Sequence, residues 1–552
     1  MTIGVVIEGV QRLFMTRSIR LNKADNLWRI EAVLKSLLIV SIIFVSIKLI
    51  FYHFQVISNI FPNEYRESAT LLMTDLLLKG GHPYALENQP EYTNVYGIFY
   101  HILVLSLAQL FGTTLPVHRV VSALFIFSAC SVFFAALRWR RVSLVFSLSA
   151  TLILYAHLLY FTTPLARPDG LGFFLFLYSI LIPWRFQYSS WSRLVSVIFG
   201  ILGFLTKPYF VLSILYLTLY LFLFKSKKLG IQQGAISLVS LAITIWIVNQ
   251  NLETYFNNVL WINYYIAGQD ILYPLQQLYA YSKTNLGIIL IFIICLLVNK
   301  CINIQNYQND KNKINKSLSF NFRNLEKPLI NFNIGFIEFS LILSLFIFLS
   351  KLGQHWGSWL IYIHHLISPF LILLSFELLD NQLKHSKNKF LGLIFSLLVL
   401  LNLLSVSSSQ FLPPLDYNLM AWKNLKVLVS QHKNIFNSPA IASILLEQGK
   451  KVYDSGQSQY FVLSTKRPAF LDKIISPKRR EIQRRYDTFL QKINNDVKSK
   501  KYDLVILTKG YSPFISEKFL KKYYSYQKTF VAPMSVKAQR NWELDIWKPK
   551  LS

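Results

Sequence analysis

The chain has 552 residues, 53% hydrophobic and 15% charged, with 57 Lys and Arg against 27 Asp and Glu for a net charge of +30. Long apolar runs recur from about residue 35 to residue 409 and leave no wet face, which excludes a disordered chain, a disulfide scaffold and a simple soluble enzyme. A cationic excess in such a chain points to cytoplasmic loops and anionic headgroups, with no nucleic acid expected.

In chain order, residues 1–34 are predicted to be a basic, weakly amphipathic cytoplasmic lead-in, without the pattern of a cleavable leader. Spans are predicted at roughly 35–52, 118–137, 142–161, 170–184, 194–206, 209–224, 230–249, 285–299, 334–350, 366–379 and 390–409. Cationic clusters at Arg12–Arg29, Arg138–Arg141, Arg185 and Arg193, and Lys225–Lys228 all fall on one side if there are about 11 spans. So do the Lys/Asn-rich loop 300–333 and the Lys384–Lys389 cluster, and this side is then cytoplasmic. The opposite loops, 53–117 above all, face outward. Within 53–117, Asn63 is expected to cap a helix running to Gly80, and 96–111 to form a second helix at the membrane surface. Cys130, Cys295 and Cys301 lie in or beside apolar spans and read as packing residues.

After residue 409 the composition changes. Residues 410–552 read as a soluble α/β domain with a helix at Ala440–Gln448, a strand at Lys451–Tyr453 and a buried strand at Tyr502–Thr508. It carries 26 Lys and Arg against 11 Asp and Glu, about half of the net charge, yet long domains cross a membrane largely regardless of charge. The expected architecture is therefore a polytopic α-helical membrane protein of the plasma (inner) membrane. Its N-terminus is cytoplasmic, a transmembrane domain spans 35–409, and the C-terminal α/β domain lies outside.

Ionisable groups near hydrocarbon are costly and need a reason. Pro62-Asn63-Glu64-Tyr65-Arg66-Glu67 places carboxylates in a first helical turn, where the positive helix end alone would also favour them. Pro164-Leu165-Ala166-Arg167-Pro168-Asp169-Gly170 sets an acid at a helix start, where it serves equally as a cap. Leu205-Thr206-Lys207-Pro208-Tyr209 holds one cation in a tight hairpin, where it can snorkel to the interface. Gln354-His355-Trp356-Gly357-Ser358-Trp359, followed by Tyr362, His364 and His365, adds rings that also suit an interfacial belt. All four groups fall on the outer side. Together they suit chemistry on a phosphate-bearing lipid: cations for the phosphate, a carboxylate for a hydroxyl, rings for a sugar.

The order of these motifs resembles the GT-C superfamily of polytopic glycosyltransferases, which includes protein O-mannosyltransferases and the lipid A aminoarabinose transferase. The resembling stretches run from Asn63-Glu64-Tyr65-Arg66 through Gly80-Gly81-His82-Pro83-Tyr84, Tyr92–Tyr96 and Leu110-Phe111-Gly112. They continue with His118-Arg119, Ser122-Ala123-Leu124, Arg167-Pro168-Asp169 and Thr206-Lys207-Pro208-Tyr209. The resemblance implies a catalytic role for Glu64, where many members have Asp before the Glu and this chain has Asn63. It implies a second acidic position at Asp169 and a carrier-phosphate contact at Lys207. Arg66 and Arg167 are expected to join Lys207 in binding the donor, and His355, Tyr362 and His365 to line the same site.

The function so implied is transfer of a sugar from a polyprenyl-phosphate-linked donor to a hydroxyl on a lipid, glycan or protein acceptor, outside the cytoplasm. Lipid-linked oligosaccharide ligation or polymerisation, lipid or sugar transport by a flippase, and a non-catalytic assembly role remain alternatives. No metal or other cofactor is required by this scheme, although Glu64 and Asp169 would suit magnesium or manganese better than zinc.

Overall fold

The structure is a computed structural model that describes residues 23–64, 66–159, 165–266, 268–310, 334–385, 389–410, 416–510, 512–532 and 542–550. Tyr65, Pro164, Lys387, most of the loop 300–333 and residues 1–22 of the expected lead-in lie outside the described residues.

Each of the eleven expected spans falls on a helix. The first lies within Lys23–Ser58, and Leu115–Trp139, Leu144–Leu159, Asp169–Arg185 and Ser190–Thr206 follow. Six helices among the described residues are long and apolar enough to cross a membrane, and further apolar helices are shorter. Most of them share one apolar core, to which Phe133, Ile153, Phe173, Tyr216, Ile291, Phe370 and Phe395 belong, while Ile98–Phe111, Ser190–Thr206 and Lys227–Asn251 pack into smaller clusters. The mostly helical chain, its apolar spans and its small C-terminal sheet are those of a polytopic membrane protein.

Among the described residues, three helical segments carry wider, π-type turns: Leu221–Lys225, Asn257–Ile262 and Ile363–Ile367. The second gives Val259 and Leu260 to the wall of the cavity described below, and the third directly follows Tyr362 on that wall. Such turns often mark functional sites, because the extra residue re-aims the side chains beyond it.

The C-terminal region holds a four-stranded sheet of order β1-β2-β4-β3, with β1 (Ile435–Phe436), β2 (Leu504–Thr508), β3 (Tyr524–Ala532) and β4 (Trp542–Pro549). β1 and β2 run parallel, and the other pairs are antiparallel. Alternation along β2 sends Leu504 and Ile506 to one face, against Trp422 and Ile444. Val505 and Leu507 go to the other, against the helix Arg479–Lys498. That helix presents Ile482, Tyr486, Phe489, Ile493 and Val497 on one stripe, so a strongly charged segment still folds. Lys451–Tyr453, expected as a strand, is not one. The Asn437 side chain takes its polar groups instead: Tyr453 N donates to Asn437 Oδ1 at 2.8 Å, and Asn437 Nδ2 donates to Asp454 O at 2.8 Å. A segment satisfied by a side chain has no ladder to join.

This domain is seated on the loop region 59–97. Phe61 and Leu72 belong to its first core, and Phe61 stacks on Trp422 with ring centres 5.8 Å apart. Arg485 donates to Glu87 O at 2.7 Å, and Asn257 donates to Ser476 O at 3.1 Å.

Candidate active site

The helix expected to start at Asn63 starts at Glu67 instead and runs to Leu78. Asn63 is not its cap. Glu67 reaches back to do that work, accepting from Asn63 N at 2.8 Å and Glu64 N at 3.2 Å. The same carboxylate accepts from Ala166 N at 2.8 Å and from Arg119 Nε and Nη2 at 2.8 and 2.7 Å. Arg119 also donates to the carbonyls of Val56, Asn59 and Phe61. Both side chains are wholly buried. Burial works to raise the Glu67 carboxyl's pKa, but Arg119 and the backbone donors outweigh it and hold the group below its ordinary range. Glu67 is thus the knot that ties the first loop to the loop before Asp169, and it leaves Glu64 at the turn ahead of it.

Glu64 is fully buried and paired with Arg66, whose Nε donates to Glu64 Oε1. Arg167 Nη1 stands 3.9 Å from Glu64 Oε2, and Arg167 Nε lies 3.1 Å from Asp169 Oδ2. Asp169 opens the helix Asp169–Arg185 from its first turn, with Pro168 in the cap position. Lys207, at the break between Ser190–Thr206 and Pro208–Val211, donates to Asp169 Oδ1 at 2.6 Å. Burial acts to raise the Asp169 pKa, yet Arg167 and Lys207 together hold it well below the carboxylate range. Burial pulls Lys207 down to about 8, with Asp169 opposing. The result is a continuous row: Arg66, Glu64, Arg167, Asp169, Lys207.

Tyr96 floors the row. Its ring centre is 5.0 Å from Lys207 Nζ and 5.5 Å from the Arg167 guanidinium. Its backbone is fixed from both sides, since Tyr84 OH donates to Tyr96 O at 2.8 Å and Tyr96 N donates to Asn94 Oδ1 at 2.9 Å. Behind Asn94, His101, Thr74 and His118 complete a buried hydrogen-bonded chain with links of 3.2, 3.1 and 3.0 Å. Gly97 N donates to Thr206 O at 3.0 Å, and a Cβ at Gly97 would overlap the Leu205 carbonyl, so only glycine lets this segment approach Lys207 so closely.

These groups border a cavity of about 680 Å3. Arg66, Tyr96, Arg167, Lys207, His355 and Tyr362 line it. Five of the eight expected site residues are therefore on its wall. Glu64 and Asp169 lie one layer behind, each held by wall cations. His365 is also off the wall, stacked on Phe173 and within 2.8 Å of the Tyr209 hydroxyl, where it braces Tyr209. Both carboxylates face guanidinium or ammonium groups, an arrangement suited to an anion rather than to a divalent cation.

Sequence reasoning passed over Glu67 and Arg119 as a pair, although an arginine at the head of an apolar span demands a partner. It also missed Gln457 and Tyr460, which the C-terminal domain adds to the cavity wall.

No protein-family model and no curated protein matches the sequence. Solved structures do match. Over 92% of this chain the fold follows ArnT from Cupriavidus metallidurans bound to undecaprenyl phosphate, at 11% identity and a TM-score of 0.50, covering 98% of that chain. The apo state of the same protein matches over 92% of this chain and 97% of its own, at 10% identity and a TM-score of 0.52. The fold is GT-C-like. Across almost the whole chain, the GT-C-like fold thus includes the C-terminal sheet domain as well as the membrane helices.

Proposed function

We propose that the protein is an integral-membrane glycosyltransferase that moves a sugar from a polyprenyl-phosphate carrier to an acceptor hydroxyl on the extracytoplasmic side. One observation carries this reading: three cations, Arg66, Arg167 and Lys207, border a single cavity with two fully buried carboxylates behind them. The fold likeness to a protein bound to undecaprenyl phosphate supports a lipid phosphate as the anion they receive.

The carrier phosphate would draw Arg66 away from Glu64, because its anionic oxygens compete for the same guanidinium. That frees the Glu64 carboxylate next to the site where the sugar sits. The acceptor hydroxyl oxygen then bonds to the anomeric carbon as the bond from that carbon to the phosphate oxygen breaks, with inversion. The hydroxyl proton goes to Glu64, and the phosphate leaves with the bonding pair, stabilised by Lys207 and Arg167. Asp169 keeps Lys207 and Arg167 aimed at the leaving group. The aromatic walls, Tyr96 and Tyr362, shield the oxocarbenium-like centre from water.

The test is transfer of radiolabelled sugar from polyprenyl-phosphate sugars by the purified chain in vesicles. Wild type transfers label to an acceptor, and Glu64→Gln lowers the rate by about 100-fold or more while leaving carrier binding intact. Label that crosses the bilayer still bound to its carrier, without transfer, identifies a flippase and refutes the proposal.

A further inference from the structure

Gln457 stands in a turn of the C-terminal domain, is 1% exposed, and lines the same cavity as Lys207 and Tyr96. Its amide orientation is fixed by chemistry. Val95 N donates to Gln457 Oε1 at 2.7 Å, so the oxygen must face the loop 59–97 and Nε2 must point away from it. Nε2 has no hydrogen-bond partner among the described residues. A buried amide nitrogen left without an acceptor is costly, and native proteins keep few of them without a use.

The turn that carries Gln457 is rigid. Gly456 N donates to Asp454 Oδ1 at 2.8 Å, Ser455 Oγ donates to Thr93 O at 3.5 Å, and Ser458 Oγ donates to Glu91 O at 3.4 Å. Three residues flanking Gln457 are thereby pinned, two of them to the loop 59–97, so Gln457 is pre-positioned rather than free to swing. Its neighbours on the wall, Tyr460, Tyr96 and Asn263, are neutral and partly aromatic. A neutral N–H donor beside aromatic faces is poorly suited to the phosphate, which the cations take, and well suited to a hydroxyl oxygen of a sugar ring.

We infer that Gln457 is a sugar-recognition residue: its Nε2 donates to a sugar hydroxyl, so the C-terminal domain completes the substrate site instead of only covering it. The inference rests on the glycosyltransferase reading above. The hydroxyl belongs to the donor's sugar or to an acceptor glycan, and the experiment separates the two.

Purified full-length protein is titrated with bare undecaprenyl phosphate and with undecaprenyl phosphates bearing glucose, mannose or arabinose, and the readout is the ratio of the two affinities. Gln457→Met keeps the side chain's length and loses the donor. Gln457→Glu keeps an oxygen for Val95 N, and because its charge acts more on the dianionic bare carrier than on the monoanionic sugar-bearing diesters, its ratio is taken between the preferred and a non-preferred sugar-bearing carrier. Melting midpoints confirm that each variant is folded. If the donor's sugar is read, wild type prefers one sugar-bearing carrier over the bare carrier about tenfold, and both variants lose that preference. If the acceptor is read, carrier ratios stay unchanged and the acceptor KM rises about tenfold in both variants, with the donor KM unmoved. Variants that keep both the carrier preference and the acceptor KM overturn the role of Gln457 and leave the glycosyltransferase reading standing. A wild type that binds no carrier overturns that reading and this one with it.

Discussion

Glu67 and Glu64 sit three residues apart in the first loop, and the structure gives them opposite jobs. Glu67→Gln tests that division. The wild-type carboxylate accepts five hydrogen bonds, two from the buried Arg119 guanidinium and three from the backbone of Asn63, Glu64 and Ala166. The glutamine has the same shape but no charge, and its NH2 group is forced against N–H donors. Removing one partner of a buried ion pair strands the other, which costs about 3–5 kcal/mol. In a chain this large that corresponds to roughly 2 °C per kcal/mol, a melting midpoint lowered by about 6–10 °C. Unfolding can be followed in detergent by the reactivity of Cys130 and Cys295, which are buried and unpaired with each other in the folded protein. Glu64→Gln is the comparison: Arg66 is 22% exposed and can turn to water, and the buried Arg167 keeps Asp169 at 3.1 Å, so its midpoint should move by less than about 3 °C. A Glu67→Gln midpoint within about 2 °C of wild type would show that the Arg119 knot does not hold the first loop.

Lys207→Ala should weaken binding of bare undecaprenyl phosphate by about 10- to 100-fold, the scale of a lost hydrogen bond to a charged group, measured by direct titration. Because burial sets the Lys207 pKa at about 8, wild-type affinity should fall as pH rises through that value, while Lys207→Ala shows no such step. Gly97→Ala must push the loop off the Leu205 carbonyl, so carrier affinity should drop although no ligand contact is removed; unchanged affinity would show that the Tyr96–Lys207 spacing is not critical. In the C-terminal domain, burial raises the Asp454 carboxyl to about 7. The folded state then holds a proton that the unfolded state has already released, so stability falls as pH climbs from about 4 to about 7. Asp454→Asn should flatten that decline in thermal melts taken across the same range.

Much of this arrangement could be read before folding. A helix with no wet face announces itself in sequence, and so each expected span falls on a helix. Lys207 was conspicuous because a lone ammonium between two apolar runs needs an acceptor, and Asp169 supplies it across 38 residues. What stayed hidden depends on contacts between distant segments. Nothing local separates Glu67 from Glu64; the difference comes from Arg119, 52 positions later. The helix therefore begins at Glu67 rather than at the Asn63 cap, because the carboxylate that serves the first turn is also the one tied down by the next span. Lys451–Tyr453 looks like a strand until Asn437 claims its backbone. Gln457 lies in an irregular stretch with no periodic signal, and it is contacts between distant segments, such as Val95 N on Gln457 and Ser455 on Thr93, that hold that stretch over the cavity.

The account turns on where the lipid phosphate binds. A cryo-EM map of the chain with undecaprenyl phosphate decides this. The prediction is phosphate density in the 680 Å3 cavity, within about 3 Å of Lys207 Nζ, with Arg66 turned from Glu64 toward it. Phosphate bound elsewhere, with Arg66 still on Glu64 and Lys207 untouched, would contradict it.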